Sequence, residues 1–143
     1  MLLPQAFAVG GSYDQLQWNH ILNAGGARTS YRWAYRAEVS AELIVDFMLL
    51  NRQFPRSLRY SYDRILERLE RLCEEPTRER NALLQATAMR NSLERDDARL
   101  ILLGGLHEYL TDKIERTIKL ATTIGSDFGF ETAAVQAVNQ AQA

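Results

Sequence analysis

The sequence is poor in lysine and cysteine, and its composition bears on which partners and which covalent links the chain can have. Lys113 and Lys119 are the only lysines, so the seventeen basic residues are nearly all arginine. Eighteen acidic residues bring the net charge to −1, which leaves no long-range field to attract nucleic acid. Cys73 is the single cysteine, so no disulfide can form within the chain. We therefore expect a cytoplasmic protein that does not bind nucleic acid.

Long apolar runs are missing as well. The uncharged stretches fall far short of the roughly 20 residues that span a bilayer. Residues 1–4 lack the cationic segment and the apolar core of a signal peptide. The sequence therefore predicts neither a membrane segment nor a membrane partner.

Proline occurs only at positions 4, 55 and 76, which leaves long intervals free for helices. Apolar residues recur at helical spacing, and no strand pattern or repeat of fixed period is present. We predict an all-α bundle of about five to six helices with short loops. Its expected divisions are a leading segment over 1–11, truncated or disordered, a helical domain over 12–124, and a tail over 125–143.

The expected helices cover residues 12–24, 30–36, 40–50, 55–72, about 77–94, and a last stretch that reaches Ile124. Ser40 is the expected cap of the third helix, and Pro55 is placed in the first turn of the fourth. Gly125 is expected to end the last helix. Its predicted buried face is a stripe of six apolar residues: Leu106, Leu110, Ile114, Ile118, Ala121 and Ile124.

Three segments carry a resemblance to a known family. Residues 47–58, FMLLNRQFPRSL, combine an apolar helix end, an amide residue, a short link and Pro-Arg-Ser. Residues 18–25 contain a Trp-bearing helix that ends in a small-residue turn, and residues 105–110 contain a His-Glu-aromatic helix start. In this order the three segments resemble the bacterial alpha-E domain family.

The resemblance implies a helical domain that is encoded beside particular enzymes or fused to them. Alpha-E proteins lie beside, or are fused to, ATP-grasp-type carboxylate–amine ligases and transglutaminase-like proteins, which implies a part in making or processing a peptide. Family members are longer and open with a helix that carries a Glu-Arg signature, which residues 1–11 do not supply. On this basis the chain is expected to be the C-terminal part of such a domain, with the missing N-terminal half as a further partner.

An arginine cluster surrounds the expected start of the fourth helix. Arg52, Arg56 and Arg59 stand around a helix N-terminus whose free N–H groups favour anions, and Ser57 lies among them. One hypothesis is a binding site for a phosphate or a carboxylate. The other is structural: Arg56 pairs with an acid on another helix, and Ser57 satisfies a backbone donor.

His107 and Glu108 are weak candidates for catalysis. A zinc-protease motif needs a second histidine four residues after the first, and position 111 is Thr111. No metal site and no cofactor are predicted. The two residues are expected to brace the last helix, and the alternative is that His107 acts as a general base beside Glu108 or Asp112.

Tyr31, Trp33 and Tyr35 supply enough aromatic surface to bind a partner protein. Cys73 is expected to be a small buried residue. The leading functional hypothesis is a non-catalytic helical accessory domain. The alternatives are a scaffold whose arginines only join helices, and part of an enzyme that clamps a peptide or carboxylate substrate with the arginine cluster.

Overall fold

The computed structural model describes residues 12–36, 38–73 and 80–130, and the helices in these ranges have no strand between them. There are seven α-helices and one π-helical segment: α1 Ser12–Ala24, α2 Arg28–Tyr35, α3 Ala41–Val45, the π-helical segment Asp46–Leu50, α4 Leu58–Leu72, α5 Asn81–Arg95, α6 Ala98–Gly104 and α7 Leu106–Asp127. The all-α class is confirmed. The described helices outnumber the expected five or six because Ala98–Gly104 is a separate short helix.

None of the helices in the described ranges is both long and apolar enough to cross a lipid bilayer.

The first two helices meet at a glycine turn. Gly26 has a φ of +60°, a left-handed conformation that glycine adopts without strain. The amide of Ala27 donates to the carbonyl of Leu22 at 2.8 Å, which closes the turn. Because the turn is this short, α2 begins at Arg28, two residues before the predicted start.

The third helix begins as an α-helix and continues as a π-helix. The hydroxyl of Ser40 accepts a hydrogen bond from the amide of Leu43 at 3.3 Å, which confirms Ser40 as the cap. From Asp46 the helix widens into the π-helical segment, a form that is rare and usually limited to one turn. Phe47 is buried there, and its ring stacks on that of Phe54 at 4.3 Å between centroids.

Two further predicted helix boundaries are wrong. Helix α4 begins at Leu58, with Ser57 as its cap, so Pro55 lies in the preceding turn. Helix α7 continues through Gly125 to Asp127, because a single glycine weakens a helix without ending it. The expected cap at position 77, the segment over residues 1–11 and most of the tail lie outside the described residues.

The described side chains form three apolar clusters. The largest joins α4, α5 and α7 around Tyr62, Ala86 and Leu93. A second packs α1 and α2 on the α3 region, with Tyr31 and Phe47 at its centre. A third and smaller cluster holds α6 against the end of α3 and the start of α7.

The buried face of α7 differs from the predicted stripe. Ile114 and Ile118 are 58% and 62% exposed, whereas Lys113 and Leu120 are 5% and 3% exposed. The two ends of the stripe, Leu106 and Ile124, do pack against the core. The helix is thus rotated so that its middle turns carry part of their apolar surface on the outside.

Candidate functional site

The link between the π-helical segment and α4 is held by two polar side chains. The Oδ1 atom of Asn51 accepts hydrogen bonds from the amides of Gln53 and Phe54 at 2.8 and 2.9 Å. Ser57 is fully buried, and its hydroxyl accepts from the amide of Tyr60 at 3.0 Å while donating to the carbonyl of Asn51. Ser57 therefore has the structural role that the second hypothesis assigned to it.

Arg56 connects this link to the turn between α1 and α2. Its Nη1 atom donates to the carbonyl of Gly25 at 2.6 Å. The expected ion pair with an acid of another helix is wrong, because the partner is a backbone carbonyl. A Cβ atom on Gly26 would lie 2.6 Å from the same Nη1 atom, so the guanidinium lies directly against the turn.

Arg59 points into the interior. It is 4% exposed, and its Nη2 atom lies 3.3 Å from Glu94 on α5. Its Nε atom lies 3.6 Å from Asp63, too far for a hydrogen bond, and is without a partner. Arg90 contacts both acids, at 3.4 Å from Asp63 and 2.8 Å from Glu94. The four side chains form one ionic network between α4 and α5.

The predicted arginine cluster is therefore divided. Arg52 is exposed and has no ion pair within the described ranges, Arg56 contacts the turn after α1, and Arg59 belongs to the network with α5. Because Arg59 is buried and paired with Glu94, it is not available to an anion at the start of α4. None of the contacts made by these three side chains involves His107 or Glu108.

The aromatic residues of α2 are divided between the core and the surface. Tyr31 is fully buried, and Tyr35 is half-buried with its hydroxyl donating to the carboxylate of Asp46. Both rings meet Phe47 edge-on, at 5.6 and 5.7 Å between centroids. Burial, followed by the bond to Asp46, raises the pKa of Tyr35 to about 12. Trp33, which is 76% exposed, is the one member of the predicted trio that is available to a partner.

Two arginines of α2 and the arginine that follows it form a basic group that the sequence patterns above did not predict. Arg28, Arg32 and Arg36 follow one another at intervals of four residues, and all three are exposed. None of them is ion-paired with a residue in the part of the chain that the structure describes. The spacing, together with the absence of any acid between positions 28 and 37, was visible in the sequence and is the signal that could have identified them.

His107 and Glu108 are both exposed at the start of α7. The carboxylate of Glu108 folds back over Gly105, where a Cβ atom would lie 2.2 Å from its Oε2 atom. Asp112 pairs with Arg116 at 2.8 Å, and that guanidinium lowers the pKa of the carboxyl group. Among the described residues, no group of three or more histidine, cysteine or acidic side chains is arranged to hold a metal ion.

A buried polar cluster near the start of α7 was also missed. Lys113 is 5% exposed, and its Nζ atom lies 3.0 Å from the hydroxyl of Ser92 and 3.5 Å from Asp96. The hydroxyl of Tyr109 donates to Asp96 at 2.5 Å, and burial together with this carboxylate raises the pKa of Tyr109 far above its ordinary value. Tyr109 is thus held protonated, as a donor and not as a base.

A cavity of about 360 Å³ lies beside this cluster, between the end of α5 and the start of α7. Asp96, Glu108 and Tyr109 line its polar side, and Leu100 and Ile101 line its apolar side. The arginines of the link between the π-helical segment and α4 are not among its lining residues. Cys73 is buried, as predicted, and lies at the end of α4.

A family model described as a predicted alpha-helical domain with a conserved ER motif matches residues 2–128. No curated protein and no solved structure matches the chain.

Proposed function

Since the chain belongs to the Alpha-E family of helical domains, we propose that it is a non-catalytic interaction domain that packs against a partner protein through the outer face of α7. The outer face consists of the exposed Ile114, Ile118 and Ala121 together with the half-buried Leu110. By the family resemblance, the partner is an ATP-grasp-type ligase or a transglutaminase-like protein engaged in making or processing a peptide in the bacterial cytoplasm.

The observation that carries this proposal is the exposure of Ile114 and Ile118. The two isoleucines lie one helical turn apart, and Ala121 continues the same side of the helix. Exposed aliphatic side chains on one stripe gain free energy when a partner removes them from water, at about 25 cal/mol for each Å² of apolar surface. Contiguous apolar surface of this kind is typical of protein–protein contact sites.

A second copy of the chain fits this stripe less well than a different protein does. A stable interface buries about 800 Å² on each partner, and four side chains along one helix cover less than that. In a twofold pairing each copy offers the same short stripe. A larger partner can seat the stripe in a groove and add contacts around it.

The test is the association of the purified full chain with the purified ATP-grasp-type ligase encoded beside it. We expect the double variant Ile114→Glu/Ile118→Glu to bind about tenfold more weakly than the unaltered chain, because two charges would enter an apolar contact. The control is Leu84→Glu, which places one of these charges on an exposed leucine of α5 and should leave binding unchanged. Titration calorimetry measures both affinities, and thermal unfolding checks that the variants remain folded.

Two results would overturn the proposal. The first is failure of the unaltered chain to bind the ligase, or equal binding by the double variant. The second is a dimer in analytical ultracentrifugation that the double variant converts to a monomer, since the face would then serve self-association.

A further inference from the structure

The solvent face of α2 forms a second surface with a different chemistry, defined by Arg28, Arg32, Trp33 and Arg36. Residues four apart on a helix lie on nearly the same side, so Arg28 and Arg32 form a line along α2. Arg36 is the residue that caps the end of the helix, with a φ of +45°. Trp33 stands beside this line and is 76% exposed. We propose that the α2 surface binds an extended, carboxylate-rich segment of a polypeptide.

The orientation of this surface is fixed from behind. Ala27 and Tyr31 are fully buried, and the hydroxyl of Tyr31 donates to the carbonyl of Glu38 at 3.2 Å. Tyr35 is bonded to Asp46 in the π-helical segment. Since the opposite side of α2 is anchored in this way, the arginines are held toward solvent on a rigid support, which lowers the entropic cost of binding.

The charge on this surface is uncompensated within the described ranges. Helix α2 carries no acid, and neither its two arginines nor Arg36 makes an ion pair there. Glu38 and Glu42, the nearest described exposed acids in the chain, are also not paired with them, and Asp46 is taken by Tyr35. Like charges in a row repel one another, so a bound anionic segment relieves this repulsion.

A fourth guanidinium lies at the beginning of the helix. Arg56 donates to the carbonyl of Gly25 and lies against Gly26, in the turn that leads into Arg28. The line of positive charge therefore extends from the turn after α1 along α2. The guanidinium groups of Arg28 and Arg32 are free to form bidentate pairs with carboxylates, the geometry that arginine favours.

The spacing of the line selects the conformation of the ligand. Four residues of a helix rise roughly 6 Å. Alternate residues of an extended peptide lie on the same side and are separated by roughly 6.6 to 6.8 Å. Acids at every second position of an extended segment therefore match Arg28 and Arg32 in turn, within the reach of flexible side chains, and Arg36 lies just past the end of the helix. An acidic peptide is favoured over nucleic acid because the net charge of the chain is −1.

The test measures binding of an eight-residue peptide of alternating glutamate and serine to the full chain at low salt. Trp33 is the reporter in a Trp18→Phe background, because Trp18 and Trp33 are the only tryptophans. We expect saturable binding that weakens about tenfold in Arg28→Gln/Arg32→Gln, since two charge-assisted contacts are lost. A peptide with the same number of glutamates at every third position should bind less tightly than the alternating peptide.

The matched control is Arg64→Gln/Arg68→Gln, which removes the same charge from two exposed arginines of α4 and should leave the affinity unchanged. Absence of binding to the unaltered chain would overturn the proposal, as would an equal loss in the control pair. Tighter binding of a single-stranded oligonucleotide than of the peptide would also overturn it, and would assign the surface to nucleic acid. None of these variants touches α7, so failure here is distinguishable from failure of the α7 interface.

Discussion

Ser57 shows how much of the local structure depends on one buried side chain. Its hydroxyl caps α4 through the amide of Tyr60 and also satisfies the carbonyl of Asn51. Ser40 caps α3 through a longer bond of 3.3 Å to the amide of Leu43, and it is exposed. The same residue type therefore occupies the same kind of position in two environments.

Replacement of each serine by alanine should give clearly different losses of stability. For Ser57→Ala we expect the free energy of unfolding to fall by about 2 to 4 kcal/mol, because a cap is lost and a buried carbonyl is left without a donor. For Ser40→Ala, where water can replace the hydroxyl, we expect about 0.5 to 1 kcal/mol. Urea unfolding measures both. Equal losses at the two sites would contradict the role given to the Asn51 bond.

At the scale of single residues, the sequence predicted some local contacts and did not predict the partners of the arginines. Residues 51–58 predicted a helix start at Pro55, three residues before the observed start at Leu58, and Ser57 was correctly expected to satisfy a backbone donor. The direction taken by each arginine could not be predicted. Arg56 and Arg59 are three positions apart, yet one contacts the turn after α1 and the other enters the network with Glu94. Those partners come from the turn after α1 and from α5, and local spacing does not encode them.

At the scale of elements, the apolar pattern of α7 is compatible with two rotations of the helix. Its apolar face is wide, so that either half of this face could pack against the core. The polar partners decide the rotation. Lys113 is inside because it donates to the hydroxyl of Ser92 and is ion-paired with Asp96, and Tyr109 is inside because its hydroxyl donates to Asp96. A buried lysine is favourable only with such partners. Since they lie on another helix, the sequence of α7 alone could not predict its rotation.

The junction between α6 and α7 depends on one glycine of a pair. Gly105 has a φ of +104°, and a Cβ atom there would meet the carboxylate of Glu108. Gly104 lies within α6, and nothing stands within 4 Å of where its Cβ atom would be. The two adjacent glycines therefore differ in backbone conformation, and only Gly105 needs the conformational freedom of glycine.

Alanine substitution at the two glycines should therefore change stability in opposite directions. We expect Gly105→Ala to lower the free energy of unfolding by about 1 to 3 kcal/mol, from backbone strain that remains even if Glu108 moves away. Gly104→Ala should be neutral or should raise stability by as much as about 1 kcal/mol, because alanine favours a helix. Thermal and urea unfolding compare the two. A Gly105→Ala protein as stable as the unaltered one would mean that this turn is not held in the left-handed region.

For the whole molecule, the sequence predicted the helical class and the order of the main helices, because those depend on local periodicity. It did not predict how separate parts are joined, which depends on contacts between distant residues. Three tyrosine hydroxyls make such contacts: Tyr35 joins α2 to Asp46, Tyr109 joins α7 to Asp96, and Tyr62 joins α4 to Thr117 on α7 at 2.8 Å. They connect elements within the three apolar clusters.

These bonds predict that the protein loses stability in alkaline solution. The pKa of Tyr35 is raised to about 12 and that of Tyr109 is raised further, so both remain protonated in the folded chain above pH 10. In the unfolded chain they ionise near their ordinary pKa of about 10. The unfolded state then binds fewer protons than the folded state, and the free energy of unfolding decreases as the pH rises above about 10. The contribution of the two groups is fully present below that pH.

Urea unfolding between pH 8 and pH 11 tests this expectation on the whole chain. The decrease in the free energy of unfolding should come mainly from tyrosine, because the chain has only two lysines and one cysteine that titrate in the same pH range. Tyr35→Phe and Tyr109→Phe should each lower stability at pH 8 and each flatten the decrease above pH 10, since the group that ionises is gone. Tyr60→Phe is the control, and its free energy of unfolding should decrease with pH as steeply as that of the unaltered chain.

If the unaltered chain kept a constant free energy of unfolding up to pH 11, the two tyrosine–aspartate bonds could not be held as the structure places them. If only Tyr109→Phe flattened the curve, the pKa of Tyr35 would not be raised in the folded chain, and the bond between Tyr35 and Asp46 would be the weaker of the two.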